Sequence, residues 1–188
     1  MTNSTKIAVV GTGYFSHFHF DAWSRLEVDL RGICSLDRSK AEQISKKFLG
    51  SKSFEDYELM MDEVRPDLID IIVPPSEQFP ILKAAIDRGI DIICQKPFTT
   101  SLKQAELVVE LANKANVKLL VHENFRFQPW HVQIKTMLNE GKIGDPYQVS
   151  VRMRPGDGQG TDAYLGRQPY FQKMERFLIH ETAIHFID

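Results

Sequence analysis

The sequence predicts an α/β fold with a doubly wound parallel sheet, followed by the start of an incomplete α+β second domain. Short apolar runs alternate with amphipathic stretches over the first two thirds of the chain. Several of these runs are nearly continuous in Ile, Leu and Val, which is typical of strands covered on both faces. The pattern changes after about residue 123. The predicted strands are Lys6–Val10, Val28–Cys34, Lys52–Phe54, Leu68–Val73, Ile90–Cys94 and Val117–His122.

Four predicted helices lie between these strands and have recognisable ends. Gly50 and Gly89 stand where a glycine commonly ends a helix, and a third helix stops before Pro66. Because strands and helices with such short connections form right-handed βαβ units, we expect helices on both faces of the sheet. The predicted helices are Ser39–Leu49, Phe54–Val64, Ser76–Arg88 and Ser101–Ala115.

The remaining third of the chain predicts different elements. Pro129–Glu140 has the amphipathic pattern of a helix. Tyr147–Arg154 alternates apolar and polar residues, which predicts a half-exposed strand of an antiparallel or open-faced sheet. Pro155–Gly166 holds four glycines and two aspartates and predicts a loop. The last segment, Phe177–Asp188, again has helical spacing.

The length of the chain indicates more than one domain. An average domain has about 150 residues, and this chain has 188. Together with the change of pattern, this predicts a complete first domain over residues 1–123 and the beginning of a second over residues 124–188. The second domain is expected to be truncated.

Composition narrows the class of protein. The 23 basic and 25 acidic side chains give a formal net charge of −2, whereas a dedicated nucleic-acid or anionic-membrane binder carries a strong basic excess. The longest uncharged apolar stretch falls far short of the ~18 residues that span a bilayer. Two cysteines and no signal-peptide pattern fit a reducing compartment. We therefore expect no nucleic-acid partner, no membrane insertion and a cytoplasmic location.

A glycine-rich loop follows the first predicted strand and opens a helix. In Gly11-Thr12-Gly13-Tyr14-Phe15-Ser16, the first glycine suits a tight turn and the second lets a pyrophosphate approach the backbone. The N-terminus of the following helix then faces the phosphates. Because the loop stands in a strand–turn–helix context, it predicts a dinucleotide site. The alternative is a glycine turn that binds no nucleotide.

The end of the second strand bears on the choice of cofactor. An acid about 20 residues after the glycines usually binds the adenosine ribose. Here Ser35 follows the strand, with Asp37 and Arg38 next. Ser35 would not repel a 2′-phosphate and Arg38 could pair with one, whereas Asp37 could simply cap a helix. The cofactor is therefore predicted to be NAD or NADP, with a slight preference for NADP.

A lysine stands at the end of the fifth strand. Lys96 lies between that strand and Pro97, and the carboxyl ends of such strands line the ligand crevice. Pro97 favours an extended conformation at Lys96. The ammonium could hydrogen-bond a substrate hydroxyl or stabilise a developing alkoxide. The alternative is a lysine that caps the sheet edge.

A histidine and two acids stand near the end of the chain. Glu181, His185 and Asp188 are spaced i, i+4 and i+7, so they share a face if the segment is helical. A histidine can accept a hydroxyl proton as a hydride leaves, and a carboxylate can orient it. The spacing differs from that of zinc-binding HExxH motifs, so no metal site is predicted. The alternative is an ordinary amphipathic helix. His19, on the first helix, is expected to have a packing role.

Five short motifs occur along the chain as a set. They are GTGYFS with His19, Val73-Pro74-Pro75, Gln95-Lys96-Pro97, Glu123-Asn124-Phe125-Arg126 and His185-Phe186-Ile187-Asp188. Their order and spacing resemble those of the Gfo/Idh/MocA oxidoreductases, which include glucose–fructose oxidoreductase and inositol dehydrogenase. The resemblance covers essentially the whole chain. It implies an N-terminal Rossmann domain and a C-terminal domain built on an open β-sheet.

The resemblance also implies an activity and roles for individual residues. The implied reaction is an NAD(P)-dependent hydride transfer to or from a secondary alcohol or carbonyl of a sugar, cyclitol or related polyol. Lys96 would polarise the oxygen, His185 would move the proton and Glu181 would orient the imidazole. The second domain would hold the substrate and could pair subunits into a homo-oligomer. Cofactor contacts are implied for Gly11, Thr12, Gly13, Tyr14, Phe15, Ser35, Asp37, Arg38, Pro74, Gln95, Lys96 and Asn124.

Two positions depart from the pattern of that family. Gln95 stands where a glutamate is usual, so a neutral hydrogen bond replaces an ion pair with the lysine. Glu181 stands where an aspartate is common, and its extra methylene moves the carboxylate. These departures leave two alternatives open: a non-catalytic nucleotide-binding sensor, or a fragment that keeps the fold without turnover. We expect the chain to bind cofactor and to turn over poorly on its own.

Overall fold

The computed structural model describes residues 4–153 and 160–188. Its contacts divide the chain into two compact units, Met1–His122 and Glu123–Asp188. The first unit holds one six-stranded sheet in the order β3-β2-β1-β4-β5-β6, and every neighbouring pair is parallel. The strands are β1 Lys6–Val10, β2 Asp29–Cys34, β3 Lys52–Phe54, β4 Leu68–Ile71, β5 Asp91–Gln95 and β6 Leu119–His122.

Five helices connect these strands, and the predicted α/β fold is confirmed. Polar side chains begin three of the helices: Asp37, Asp56 and Ser101 each accept a backbone N–H of the first turn. Such caps stabilise a helix by about 1 kcal/mol each. The second helix ends at Ser45 rather than at the predicted Leu49. The N–H groups of Lys47 and Phe48 donate to carbonyls three residues back, so hydrogen-bonded turns replace the α-helix there. The helices are α1 Ser16–Ser24, α2 Arg38–Ser45, α3 Tyr57–Val64, α4 Pro75–Asp87 and α5 Leu102–Ala115.

Both faces of the sheet are buried under helices. Alternate residues of β1 point to opposite faces, so Ile7 and Val9 enter one cluster while Ala8 and Val10 enter the other. The helices α1 and α2 cover the first face, and α3, α4 and α5 cover the second. This two-sided burial explains why the strands are nearly continuous in apolar residues. The buried helix residues include Phe20, Ala41 and Ile44 on one face and Met60, Leu82 and Val108 on the other.

The centre of the sheet brings the predicted cofactor and lysine motifs to one edge. At the carboxyl ends of the strands, Val10 pairs with Ile71, and Ile71 pairs with Cys94. The chain leaves β1 at Gly11 and leaves β5 at Lys96. Ligands of open parallel sheets bind beyond this edge, where the strand order reverses. The fold of the first unit therefore places the glycine loop and the lysine motif where ligand contacts are expected.

The second unit has short helical elements. None of the helices among the described residues is long and apolar enough to cross a membrane. Phe171 is the one hydrophobic side chain of this unit, within the described residues, that is buried, and it packs against Tyr164 and Phe177. The elements are a 3₁₀-turn Phe125–Phe127, helix α6 Pro129–Asn139, a 3₁₀-turn Pro169–Lys173, a π-helical segment Leu178–Ala183 and helix α7 Ile184–Ile187.

Two predictions for the second unit need correction. The predicted strand Tyr147–Arg154 is not formed over residues 147–153, and Arg154 lies outside the described residues. A strand needs a hydrogen-bonded neighbour, and the described part of this unit offers none, so Tyr147 is 98% exposed. The predicted helix Phe177–Asp188 is a π-helical segment followed by one α-helical turn. Of the predicted loop Pro155–Gly166, residues 155–159 also lie outside the described part.

Candidate functional site

The glycine loop has the geometry that a dinucleotide requires. Gly11 has φ +112°, and a Cβ atom there would lie 2.1 Å from the carbonyl oxygen of Ile72. Its N–H donates to the carbonyl of Cys34 at 2.9 Å. The loop is thus held between the ends of β2 and β4, and a side chain at Gly11 has no room.

The second glycine faces open space. A Cβ atom built on Gly13 has no heavy atom within 4 Å. The buried Ser16 fixes the start of α1, because its N–H and its hydroxyl both donate to the carbonyl of Gly13, at 3.1 and 2.7 Å. Ser16 occupies the third position of the fingerprint, where a small residue permits close packing. The open space at Gly13 fits a pyrophosphate at the helix N-terminus.

The end of β2 is tied to the glycine loop by hydroxyl groups. The hydroxyl oxygens of Thr12 and Ser35 lie 2.6 Å apart, and Ser35 also accepts the N–H of Asp37 at 3.2 Å. The Asp37 carboxylate caps α2, and its hydrogen bond with Ser39 lowers the pKa of Asp37. Asp37 therefore caps the helix, as the alternative interpretation expected, and its cofactor contact stays a prediction. Arg38 donates from Nε to Glu42 at 2.9 Å.

Two buried glutamines hold the main chain around Lys96. The Gln78 amide nitrogen of α4 donates to the carbonyls of Gln95 and Pro97 at 2.9 and 3.0 Å. Its amide oxygen accepts the N–H of Thr99 at 2.8 Å. The Gln95 side-chain oxygen accepts the N–H of Lys96 at 2.9 Å. Because an amide both donates and accepts, these contacts fix the path of the chain at Lys96.

Gln95 also contacts the first helix. Its amide nitrogen lies 2.9 Å from Nε2 of His19, which is buried. His19 therefore does more than the packing role expected for it. Pro74, another predicted cofactor contact, directly precedes α4, and its carbonyl accepts the N–H of Glu77 at 2.9 Å.

In the second unit, His185 is bound to a carboxylate. Its Nδ1 lies 2.6 Å from Oε1 of Glu123, and both side chains are about nine-tenths buried, at 10% and 7% exposure. The same oxygen accepts the N–H of Phe125 at 2.9 Å. The imidazole stacks on the Phe125 ring, with centroids 3.9 Å apart and planes at 12°. A carboxylate only accepts hydrogen bonds, so Nδ1 carries the hydrogen and Nε2 has the basic lone pair when the ring is neutral.

The last segment also holds the predicted acids Asp188 and Glu181. Asp188 accepts from Nε of Arg126 at 2.7 Å in a two-pronged ion pair, and this pair lowers the pKa of Asp188. Burial and the nearby charge of Glu181 raise the pKa of Tyr170 to about 12. Leu178–Ala183 is π-helical rather than α-helical, and the orienting role implied for Glu181 stays a prediction. Asn124 begins the 3₁₀-turn, where its carbonyl accepts the N–H of Phe127.

The comparison with protein families identifies the first unit. Residues 5–123 match the Gfo/Idh/MocA group, described as an oxidoreductase family with an NAD-binding Rossmann fold. The chain belongs to the Gfo/Idh/MocA oxidoreductase family. The match covers all of the glycine loop, Gln95-Lys96-Pro97 and Glu123.

Curated relatives in this family are dehydrogenases. The chain is 31% identical over 184 residues to a D-apiose dehydrogenase of Paraburkholderia graminis, covering 97% of this chain and 48% of that protein. It is 27% identical over 188 residues to an inositol 2-dehydrogenase/D-chiro-inositol 3-dehydrogenase of Lactiplantibacillus plantarum, covering 98% and 51%. The chain thus spans about half the length of the curated relatives it matches.

Solved structures of the family share the fold. An oxidoreductase from Agrobacterium radiobacter, in complex with NAD⁺, L-tartaric acid and magnesium, superposes with TM-score 0.86 at 28% identity, covering 99% of this chain and 53% of that one. A scyllo-inositol dehydrogenase from Lactobacillus casei, with NAD(H) and scyllo-inositol, superposes with TM-score 0.71 at 22% identity, covering 76% and 43%. At that lower identity, the second match supports the fold alone.

Sequence reasoning missed Gln78 and the pairing role of Glu123. Gln78 could have been found, because Ile81, Leu82 and Ala85 follow it at i+3, i+4 and i+7 and place it on the buried stripe of α4. A polar residue on such a stripe needs hydrogen-bond partners. Glu123 directly follows β6, but its contact with His185 joins residues 62 apart in sequence, and no local pattern announces it.

Proposed function

We propose that the protein is an NAD(P)-dependent oxidoreductase that transfers a hydride to or from a secondary alcohol or carbonyl of a sugar, cyclitol or related polyol. The glycine loop, with its turn at Gly11 and the open space at Gly13, supports cofactor binding. The names of the relatives, a sugar dehydrogenase and a cyclitol dehydrogenase, support the substrate class. The observation that carries the proposal is the buried Glu123–His185 pair.

His185 is assigned the role of the general base or acid. In the oxidising direction its Nε2 accepts the hydroxyl proton of the alcohol, and in the reducing direction the proton returns to the carbonyl oxygen. Glu123 fixes the tautomer through Nδ1 and stabilises the imidazolium that forms. Stacking on Phe125 limits rotation of the ring. Glu123 thereby takes the orienting role that the resemblance implied for Glu181.

Lys96 is assigned the role of polarising the reacting oxygen. The bound nicotinamide would supply the hydride acceptor or donor. A lysine ammonium that hydrogen-bonds the oxygen stabilises the negative charge that develops there. The contacts of Gln78 and Gln95 with the flanking main chain support this assignment, because they fix the position from which the side chain starts.

The proposal is tested by measuring cofactor binding and hydride transfer separately. Fluorescence titration with NADH and NADPH measures binding, and the absorbance of reduced nicotinamide measures turnover over a panel of sugars and cyclitols. His185→Asn and Glu123→Gln are expected to lower kcat at least tenfold and to leave cofactor affinity unchanged. His17→Asn, at an exposed position of α1, is the control.

Each outcome bears on the proposal. Binding of reduced cofactor with hydride transfer that depends on His185 supports it. Cofactor binding without transfer to any substrate of the panel favours the nucleotide-binding sensor. Equal kcat in the His185→Asn and His17→Asn variants would refute the proton-transfer role. A failure to bind either cofactor would refute the oxidoreductase proposal as a whole.

We also propose that copies of the chain associate through the second unit. Tyr147, Val149 and Val151 are 98%, 81% and 56% exposed, and exposed apolar side chains in alternation favour pairing with another surface. Light scattering after size exclusion would show a dimer or larger assembly. A strictly monomeric chain at high protein concentration would contradict this part of the proposal.

A further inference from the structure

A line of buried polar side chains runs from β4 to the main chain of Lys96. It begins at Asp70, which is 0% exposed and whose Oδ2 lies 2.8 Å from both Nδ1 of His19 and Nε1 of Trp23. A carboxylate only accepts hydrogen bonds, so His19 and Trp23 are both donors. His19 therefore carries its hydrogen on Nδ1, and the state of Nε2 decides whether the ring is neutral or charged.

The contact of His19 with Gln95 settles that state. Nε2 of His19 lies 2.9 Å from the amide nitrogen of Gln95, and the Gln95 oxygen accepts the N–H of Lys96 at 2.9 Å. Since the oxygen of Gln95 faces a donor, its nitrogen faces His19 and donates to it. Nε2 must then be an unprotonated acceptor. Every hydrogen bond from Asp70 to Lys96 has one direction, and His19 in this line is neutral.

The amide of Gln95 is what makes a neutral histidine compatible with these contacts. A carboxylate at this position could still accept the N–H of Lys96 with one oxygen. Its other oxygen would also be an acceptor, so it would need a hydrogen on Nε2 of His19. The histidine would then be an imidazolium between two carboxylates. Glutamine at position 95 removes this need for a proton.

We propose that Asp70, His19 and Gln95 are positioning residues that hold the main chain of Lys96 through an uncharged histidine. This inference rests on the role proposed for Lys96. It concerns the support of that residue and adds no catalytic group.

The titratable groups that face His19 and its partners come from three strands. Asp70 of β4 binds Nδ1, and the ring of His122 of β6 lies 4.6 Å from that of His19, edge to face. Nδ1 of His122 lies 3.4 Å from the amide nitrogen of Gln95. Burial and the charge of Asp70 raise the pKa of Cys94 on β5, which keeps its thiol protonated. A proton on His19 would meet an attractive charge from Asp70 and a donor, not an acceptor, from Gln95.

The test is the protonation state of His19, read by nitrogen-15 NMR of the imidazoles in the full chain. In the unsubstituted protein the His19 signals are expected to show a neutral Nδ1–H ring at about pH 7. Gln95→Glu preserves the size of the side chain. It is expected to convert His19 to an imidazolium at the same pH, because a second carboxylate oxygen needs a hydrogen on Nε2. Loss of the signals in His19→Gln assigns them, and Gln43→Glu, at an exposed position of α2, is the control.

A second readout separates the hydrogen-bond line from its role. Measured in the oxidising direction, where a general base at His185 makes kcat/KM rise with pH, Gln95→Glu is expected to add a fall at high pH that the unsubstituted protein does not show. His19→Gln offers an acceptor to Gln95 without a titrating group, so it is expected to retain activity that His19→Ala loses. A charged His19 in the unsubstituted protein overturns the inference. Neutral His19 with unchanged kcat/KM in all variants overturns the positioning role. Absence of turnover in every form, with the expected NMR result, refutes the proposed function and leaves the hydrogen-bond line established.

Discussion

The clamp that Gln78 forms around Lys96 can be tested with one isosteric substitution. Gln78→Glu replaces the amide NH₂ by an oxygen and leaves the other oxygen in place. The contact with Thr99 N–H at 2.8 Å is preserved. The carbonyls of Gln95 and Pro97, at 2.9 and 3.0 Å from the amide nitrogen, lose their donor and face an acceptor instead. Since Gln78 is 0% exposed, water does not replace the lost donor without a rearrangement.

The expected cost can be worked out from these two contacts. A buried polar group that loses its partner costs about 1–3 kcal/mol, so two carbonyls cost about 2–6 kcal/mol while the introduced carboxyl is ionised. Protonation gives that carboxyl one O–H donor and restores one of the two hydrogen bonds. Burial raises its folded-state pKa above the unfolded value of about 4.3. Stability is therefore retained below about pH 4.3 and is lost as the pH rises toward the folded-state pKa, by at most about 1.4 kcal/mol per pH unit.

Urea unfolding monitored by circular dichroism measures this loss. We compare Gln78→Glu and the unsubstituted chain at about pH 5 and pH 8, with Gln43→Glu at an exposed position of α2 as the matched control. The Gln78 variant is expected to lose at least 2 kcal/mol at pH 8 and less at pH 5. A loss at pH 8 no larger than that of the Gln43 variant would refute the clamp. So would a Gln78 variant that is less stable at pH 5 than at pH 8 after correction for the unsubstituted chain.

Three further predictions concern the cofactor side of the first unit and its cysteines. Gly11→Ala is expected to unfold at a lower urea concentration, because its Cβ would lie 2.1 Å from a carbonyl oxygen. Gly13→Ala should keep its stability and lose cofactor affinity, so equal urea midpoints for the two variants would contradict this prediction. Burial raises the pKa of Cys34 to about 12 and also raises the pKa of Cys94, so both thiols should react with a disulfide reagent at pH 8 only after the chain unfolds. Fast labelling of the native chain would contradict the burial of these cysteines. Arg38→Ala should weaken NADPH binding in a fluorescence titration and leave NADH binding unchanged. The exposed ion pair of Arg38 with Glu42 stabilises the chain by only about 0–1 kcal/mol, so Arg38 can bind a 2′-phosphate instead. Tighter binding of NADH than of NADPH by the unsubstituted chain would contradict the predicted preference for NADP.

The first unit could be predicted almost completely from the sequence. All six strands were found, and two-sided burial made the central ones easiest to recognise, as in Ile7–Val10 of β1, where four consecutive apolar residues are buried. The strand ends were less accurate, since β4 ends at Ile71 rather than at Val73. A strand ends where its neighbours stop pairing, and that depends on register with β1 and β5, which one segment does not contain.

The second unit could not be predicted in the same way. The alternation in Tyr147–Met153 specifies which side chains share a face, but a strand forms only when a partner strand supplies hydrogen bonds. Nothing in the segment encodes that partner. Likewise the spacing of Glu181 and His185 predicts neighbours only on a regular α-helix, and the π-helical segment removes that condition.

In the candidate site, the sequence identifies the two histidines but does not identify the carboxylates that bind them. His19 pairs with Asp70 across 51 residues, and His185 pairs with Glu123 across 62. Neither pairing follows from sequence spacing, because each joins residues that are far apart in the chain. Both pairs join Nδ1 of a histidine to a carboxylate oxygen. For His19, Gln95 donates to Nε2, and this contact supports the main chain of Lys96 through the Gln95 oxygen. Replacing that donor with an acceptor would require a hydrogen on Nε2, so the side chain at position 95 decides whether the histidine in this hydrogen-bond line is neutral or charged.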